Sequence, residues 1–134
     1  MKLIASHRVS ENDDTGTLDS KSFILVNCTG YDEFDEPCQP CHRKKGRDDY
    51  YLAYTHNGFM LVRFSRKDYY LGEGDLFLYK PHEEQYYGQV DKENCSSYWV
   101  HFTGYGAHEA KVKAGPTFRI AIPSSTICFR HSFV

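Results

Sequence analysis

The chain has 134 residues, a formal net charge of −2 and aromatic side chains at 16% of its positions. This length predicts one domain with a core of its own. The near-neutral charge provides no overall field toward nucleic acid or a membrane surface, so binding by bulk charge is excluded.

The first twenty residues are predicted to form a flexible N-terminal segment, because residues 10–17 (SENDDTGT) are uniformly polar. Residues 1–8 lack the long apolar stretch of a secretory signal, and no run in the sequence approaches membrane-spanning length. The five cysteines are an odd number, which favours reduced thiols over a disulfide framework. We therefore expect a cytoplasmic protein with no membrane contact.

From residue 21 the sequence predicts a single all-β domain, residues 21–134. Residues 21–28 (KSFILVNC) are a buried-strand candidate, and residues 29–49 are predicted to form one long irregular loop. Residues 50–64 (YYLAYTHNGFMLVRF) place Asn57-Gly58 between two apolar runs, a pattern that predicts a hairpin.

The motif Cys38-Gln-Pro-Cys41-His42 matches the attachment signature of c-type haem, and its cysteine pair also suggests zinc or redox chemistry. Haem attachment requires export, a zinc site needs two more ligands, and a thioredoxin-like site needs a βαβ context. The sequence supplies none of these. We interpret the motif as part of a structural loop and predict no cofactor.

The remaining sequence continues the β pattern. Residues 67–80 (KDYYLGEGDLFLYK) contain a glycine-rich turn, and residues 97–104 (SYWVHFTG) alternate as a strand does. Short strands separated by turns, with little helical periodicity, predict an antiparallel sandwich or barrel. The one helix candidate is 107–114, and the apolar sequence after residue 115 does not resemble a helix-turn-helix.

Three runs together carry a family resemblance: RDDYYL from Arg47, GDLFLYKP from Gly74 and YWVHFTG from Tyr98. Over residues 22–110 the chain resembles the N-terminal effector-binding domain of AraC/XylS-type bacterial transcription regulators. The resemblance implies a cupin-like antiparallel jelly-roll barrel with at most one or two short helices. It also implies a small effector inside the barrel, often a saccharide, and pairing into a homodimer. DNA would be contacted only through a C-terminal domain that these residues do not include.

The same resemblance bears on metal binding, because metal cupins hold a cation with an HxH pair, a nearby Glu and a later His. Here the corresponding positions fall on residues 44–47 (KKGR), on Tyr51 and on Gln85. A metal needs three or four converging ligands. We therefore predict no metal, no catalytic residues and a domain that is not an enzyme.

Two alternatives stay open. One is a metal-dependent cupin enzyme acting on a sugar or small organic substrate, with His82, Glu84 and His101 as unexpected ligands. The other is a protein-interaction module in which aromatic strand faces form a dimer interface.

Carried over from the family, the effector contacts fall on Trp99 as a stacking platform and on Tyr87 as a pocket tyrosine. The effector-binding arginine falls on Arg43 or Arg47, depending on the length of the loop. Ser97 replaces a histidine of the family, which leaves the particular sugar open.

Strand parity places residues 97, 99 and 101 on one face and residues 98, 100 and 102 on the other. We expect the first face to meet the ligand, together with Gln85. The second face is expected to pack toward a second layer of the protein. The predicted ligand site therefore comprises Trp99, Tyr87, Arg47, Arg43, Gln85, Ser97 and His101.

Overall fold

The computed structural model describes residues 1–8, 16 and 18–107, and this part of the chain contains nine β-strands. In chain order they are β1 (Lys2–His7), β2 (Leu25–Phe34), β3 (Cys41–Arg43), β4 (Tyr50–Asn57), β5 (Met60–Phe64), β6 (Lys67–Leu71), β7 (Leu76–Tyr79), β8 (Gln85–Gln89) and β9 (Cys95–Thr103).

The strands form two antiparallel sheets. Sheet A has the order β1-β2-β9-β4-β7, and sheet B has the order β3-β8-β5-β6. From β4 to β9 the chain crosses between the sheets at every connection except that between β5 and β6. This alternation is typical of jelly rolls. The predicted all-β, antiparallel jelly-roll fold is confirmed.

The core lies between the two sheets and is rich in aromatic rings. In β5 every second side chain is buried, as the two-residue period of a strand requires. Tyr79 is completely buried, and its hydroxyl lies 2.7 and 2.9 Å from the carbonyl oxygens of Arg63 and Tyr86, either of which can accept its one proton. The polar end of that ring is therefore satisfied while its apolar face packs. Buried members of this core include Tyr51, Phe77, Tyr79, Met60, Val62 and Phe64.

The hairpin predicted at Asn57-Gly58 is wrong, because β4 belongs to sheet A and β5 to sheet B. The turn carries the chain across the sandwich. Gly58 has a φ of 72°, and a Cβ there would lie 2.4 Å from the carbonyl oxygen of Asn94. The hairpin that does form joins β5 to β6 through Ser65-Arg66, with φ values of 50° and 68°. A turn motif sets only the local direction of the backbone. Which strands pair depends on partners that are distant in the chain.

The single loop predicted over residues 29–49 is also wrong. Strand β2 continues to Phe34, and Cys41–Arg43 forms β3 at the edge of sheet B. The acidic stretch of β2 lies between β1 and β9, so both neighbours hydrogen-bond its backbone. That pairing overrides the low strand propensity of Asp and Glu.

The N-terminal segment predicted as flexible includes β1, which pairs with β2 along its six residues. The helix candidate at 107–114 lies outside the described residues apart from Ala107, and the sequence after residue 115 lies outside them entirely. In the part of the chain that is described, no helix has the length and hydropathy to cross a membrane.

Candidate functional site

A cavity of about 350 Å³ lies between the sheets. This volume is within the range of small-molecule sites, which span roughly 300–1,000 Å³. Strands β1, β2, β4 and β9 of sheet A and strands β3 and β8 of sheet B contribute to its wall. Its aromatic, charged and titratable side chains include Tyr51, Tyr87, Trp99, Asp32, Arg43, Arg47, His7 and His101.

The alternation of β9 directs Trp99 and His101 into this cavity, as parity predicts. The opposite face does not pack toward a second layer, so that expectation is wrong. Tyr98 is 50% exposed and contacts Tyr31 and His56 on the outside of sheet A. The reason is that sheet B covers only the inner face of sheet A, and its outer face is surface in the described part of the chain.

Trp99 takes its position from a glycine on the neighbouring strand. Gly30 of β2 lies directly opposite Trp99 in the register, and a Cβ at Gly30 would lie 2.5 Å from the indole Cζ2. The indole therefore occupies the space that a side chain at position 30 would fill. It also contacts the His101 ring at a centroid distance of 5.2 Å. An indole held in this way can serve as a platform for a ligand ring.

Arg47 is held by a buried ion pair with Asp49. Its Nε donates to Asp49 Oδ1 at 2.7 Å and its Nη2 to Asp49 Oδ2 at 3.0 Å. The Arg47 and Asp49 side chains are 3% and 0% exposed. This two-pronged geometry orients the guanidinium at the cavity wall and neutralises its charge.

A β-bulge in β2 supplies the next member of the network. Between Val26 and Cys28 the pairing of β2 with β9 gains one residue, and the extra residue is Asn27. Its amide donates to Asp49 Oδ2 at 2.8 Å, and its carbonyl oxygen accepts from Arg8 at 3.1 Å. The bulge thus aims a buried amide at the carboxylate.

In this network Asp49 is charged at pH 7, whereas its neighbour His101 is neutral. Burial acts to raise the pKa of Asp49, but the nearby His101 ring and the donors of Arg47 and Asn27 outweigh it and bring the pKa to about 2. Burial lowers the pKa of His101, the positive charge of Arg47 acts in the same direction, and Asp49 opposes both. His101 is therefore neutral at pH 7, with its Nδ1 at 3.6 Å from Asp49 Oδ1.

Arg43 connects sheet B to the cavity. Its Nη1 donates to Cys41 Sγ at 2.8 Å, Tyr87 Oη at 3.2 Å and Gln85 Oε1 at 3.3 Å. Strand pairing of β3 with β8 explains the grouping, because Cys41 lies opposite Tyr87 and Arg43 opposite Gln85. The guanidinium therefore binds three neutral acceptors at one wall of the cavity.

Asp32 of β2 places a second carboxylate in the cavity wall. Burial raises its pKa, and the nearby Trp99 indole and Arg43 guanidinium offset only part of that effect. Within the described residues, Asp32 Oδ1 and Trp99 Nε1 are both buried and have no hydrogen-bond partner.

Of the seven residues predicted for the ligand site, five line the cavity: Trp99, Tyr87, Arg47, Arg43 and His101. Both candidate arginines therefore reach it. Gln85 and Ser97 are 0% and 1% exposed but lie outside the lining.

The prediction of the site missed Asp32 and Tyr51, which line the cavity, and Asp49, which binds Arg47. The two-residue alternation of side chains along residues 28–34 is the pattern that could have identified Asp32 as an inward-facing strand residue. The acidic composition of that stretch, which is typical of a loop, obscured the pattern.

The described residues contain no group of three or more His, Cys, Asp or Glu side chains placed to hold a metal ion. The ligand set considered for an enzyme is not brought together. His101 lies in the cavity, whereas Glu84 binds His42 at the surface at 2.7 Å and His82 lies near Asp48 at 3.6 Å.

The Cys38–His42 motif is divided between two surroundings. Cys38 donates its backbone N–H to Gln89 at 3.0 Å, and Cys41 faces the cavity from β3. His42, the next residue of β3, contacts Glu84 on the outside. Within the described residues, none of the four cysteines Cys28, Cys38, Cys41 and Cys95 is bonded to another in a disulfide.

Comparisons with solved structures find proteins with a similar fold. The chain is similar to the Cnp3 cupin domain of Schizosaccharomyces pombe, with a TM-score of 0.52 and 10% identity, over 77% of this chain and 68% of that one. It is also similar to protein plu4264 of Photorhabdus luminescens, with a TM-score of 0.50 and 16% identity, over 74% of this chain and 73% of that one. At such identities the likeness shows the fold alone.

Comparison with curated proteins gives no match. A family model described as the AraC-like ligand binding domain matches residues 36–120, which is more than half of the chain. The match covers β3 to β9 and thus most of the strands that surround the cavity. The resemblance drawn from the sequence is confirmed, and the chain belongs to the family of AraC-like ligand binding domains.

Proposed function

We propose that this domain binds an uncharged, polyhydroxylated small molecule, most simply a saccharide, in the cavity between its sheets. We further propose that it is the sensing part of an AraC-type transcription regulator and is not an enzyme. The observation that carries the ligand class is the pairing of an aromatic platform, Trp99, with a wall whose charges balance.

The balance of charge argues for an uncharged ligand. Arg47 is neutralised by Asp49, and Arg43 lies within electrostatic reach of Asp32. His101 is neutral at pH 7 because burial lowers its pKa. The two arginines and the two carboxylates therefore balance in charge, and these groups offer donors and acceptors without favouring an anion or a cation.

The aromatic side chains argue for a ligand with an apolar ring face. Trp99 is fixed over Gly30, and Tyr51 and Tyr87 lie next to one another at a centroid distance of 5.2 Å. Sugar rings present C–H faces to such platforms and hydroxyls to the groups around them. Arg43 and Tyr87 are positioned to hydrogen-bond those hydroxyls.

Signalling would start at the cavity wall. Met1, Leu3 and His7 of the N-terminal segment line the cavity, so a bound ligand would contact β1 directly. A ligand that prefers one arrangement of β1 shifts the population toward it. DNA would be contacted by a separate domain, and the free thiols suit a reducing compartment such as the cytoplasm.

The test is titration calorimetry against neutral monosaccharides, sugar acids and amino sugars. We expect a neutral sugar to bind, and Trp99→Ala to weaken its binding by about tenfold or more. Tyr98→Ala is the matched control, because it removes the adjacent aromatic ring from the outer face and should leave affinity unchanged. Binding by charged sugars alone, or by none of the panel, would contradict the proposed ligand class.

Pairing into a homodimer remains a prediction of the family resemblance. The outer face of sheet A offers exposed apolar side chains for such a contact, among them Tyr98 and Val26. Light scattering with and without the bound sugar measures whether two copies associate and whether the ligand changes this.

A further inference from the structure

We propose that Asp32 determines the specificity of the cavity, because its Oδ1 accepts a hydrogen bond from a ligand hydroxyl whose oxygen accepts the Trp99 indole N–H. The inference rests on the proposed function and names a contact that the family resemblance does not supply. It defines the ligand as one that presents a free hydroxyl, not an ether or a carbonyl, at this point.

The first support is the position of Asp32. It lies in β2 opposite Ser97 of β9 and Leu3 of β1, so its side chain shares the inner face of sheet A with Trp99. Both Asp32 and Trp99 line the cavity. The carboxylate and the indole N–H therefore reach the same enclosed space.

The second support is that the two groups are complementary and unsatisfied. In the described part of the chain, Asp32 Oδ1 is a buried acceptor without a donor, and Trp99 Nε1 is a buried donor without an acceptor. The indole N–H is near enough to lower the pKa of Asp32, but Trp99 Nε1 and Asp32 Oδ1 do not reach hydrogen-bonding geometry with each other. A buried polar atom without a partner costs roughly 1–3 kcal/mol. One hydroxyl between them would satisfy both atoms.

The third support is that neither Arg43 nor Arg47 forms an ion pair with Asp32. Arg43 Nη1 donates to Cys41, Gln85 and Tyr87, all of which are neutral acceptors. Arg47 gives two donors to Asp49. No ion pair within the described residues involves Asp32. The carboxylate is thus held in the wall by strand position and not by a salt bridge.

The experiment compares Asp32→Ala and Asp32→Asn with Glu33→Gln in calorimetric titrations of the sugar that binds the wild type. Glu33 is the adjacent carboxylate of β2, partly exposed and only 3.9 Å from Lys2. We expect Asp32→Ala to weaken binding by about 10- to 100-fold, which corresponds to loss of a hydrogen bond to a charged group. Glu33→Gln should stay within about twofold of the wild type.

Monodeoxy and O-methyl derivatives of the same sugar identify the hydroxyl. One position should lose affinity strongly in the wild type and little in Asp32→Ala, because that variant has already lost the contact. Equal losses in both proteins at every position would overturn the assignment. So would unchanged affinity of Asp32→Ala, as expected if water alone satisfied Asp32 and Trp99.

The ligand-free proteins give a separate measurement. If Asp32 is retained for binding, Asp32→Asn should raise the melting temperature, because it removes the charge of a partly buried carboxylate that forms no ion pair. A lower melting temperature would make Asp32 a structural residue and overturn the proposal. A wild type that binds no sugar would instead refute the proposed function itself, so the two failures are distinguishable.

Discussion

The amide of Asn27 reaches Asp49 from a one-residue bulge in β2 and donates a hydrogen bond of 2.8 Å. Asp49 in turn holds Arg47 by two hydrogen bonds, and Arg47 lines the cavity. An irregularity in strand pairing is therefore connected to the orientation of a side chain at the candidate site. The predictions below begin with this network.

Loss of the Asp49 carboxylate should destabilise the fold strongly. We expect Asp49→Asn to lower the free energy of unfolding by about 3–5 kcal/mol, because it removes the carboxylate that binds the buried Arg47 guanidinium through two hydrogen bonds. Urea denaturation measures the change. The control is Asp68→Asn, since Asp68 binds Arg63 with the same two-pronged geometry at the surface. Its loss should cost less than about 1 kcal/mol, and equal losses at the two sites would contradict the buried-pair interpretation.

The same carboxylate predicts acid sensitivity. The pKa of Asp49 falls from an ordinary 3.8 to about 2 in the folded protein, because nearby donors outweigh burial. A group with a depressed folded-state pKa stabilises the fold above its unfolded pKa and loses that effect as pH falls through the folded value. The stability difference between wild type and Asp49→Asn should therefore shrink by about 1 kcal/mol between about pH 5 and pH 3. Denaturation curves at both pH values measure it, and a constant difference would contradict the prediction.

Gly30 should be intolerant of any side chain. A Cβ there would lie 2.5 Å from Trp99 and 2.6 Å from the carbonyl oxygen of Ile4. We expect Gly30→Ala to destabilise by about 1–3 kcal/mol through overpacking and to shift the emission of Trp99, the only tryptophan.

Gly72→Ala is the control for this change. Its new Cβ would approach only the Phe59 ring, at 3.0 Å, and Phe59 is largely exposed and can move. Unchanged fluorescence in Gly30→Ala would show that the indole does not depend on that glycine.

Glycine at position 66 should stabilise the hairpin between β5 and β6. Arg66 has a φ of 68°, in the left-handed region that disfavours residues with a Cβ. Glycine relieves the backbone strain at this position but increases the entropy of the unfolded chain, which offsets part of the gain. We expect Arg66→Gly to raise the free energy of unfolding by about 0.5–1 kcal/mol in total. Lys67→Gly, one residue later in β6, should lower it by a similar amount. The same sign for both variants in urea denaturation would contradict the prediction.

The sequence by itself determined the fold class and the family. Alternating strands separated by turns predict an antiparallel β-protein, and the runs that begin at Arg47, Gly74 and Tyr98 together indicate the family. Parity alone places Trp99 and His101 on one face of β9. These conclusions hold because a strand repeats every two residues whichever strands surround it.

Only the tertiary structure decided which strands pair and which polar groups meet. Asn57-Gly58 fixes a tight turn, but the sheets that β4 and β5 join depend on partners distant in the chain. Asp32 reaches the cavity through the pairing of β2 with β9, and Asp49 meets the Asn27 amide that the bulge in β2 presents. Their burial and charge partners are set by long-range register, and local composition carries no signal of it.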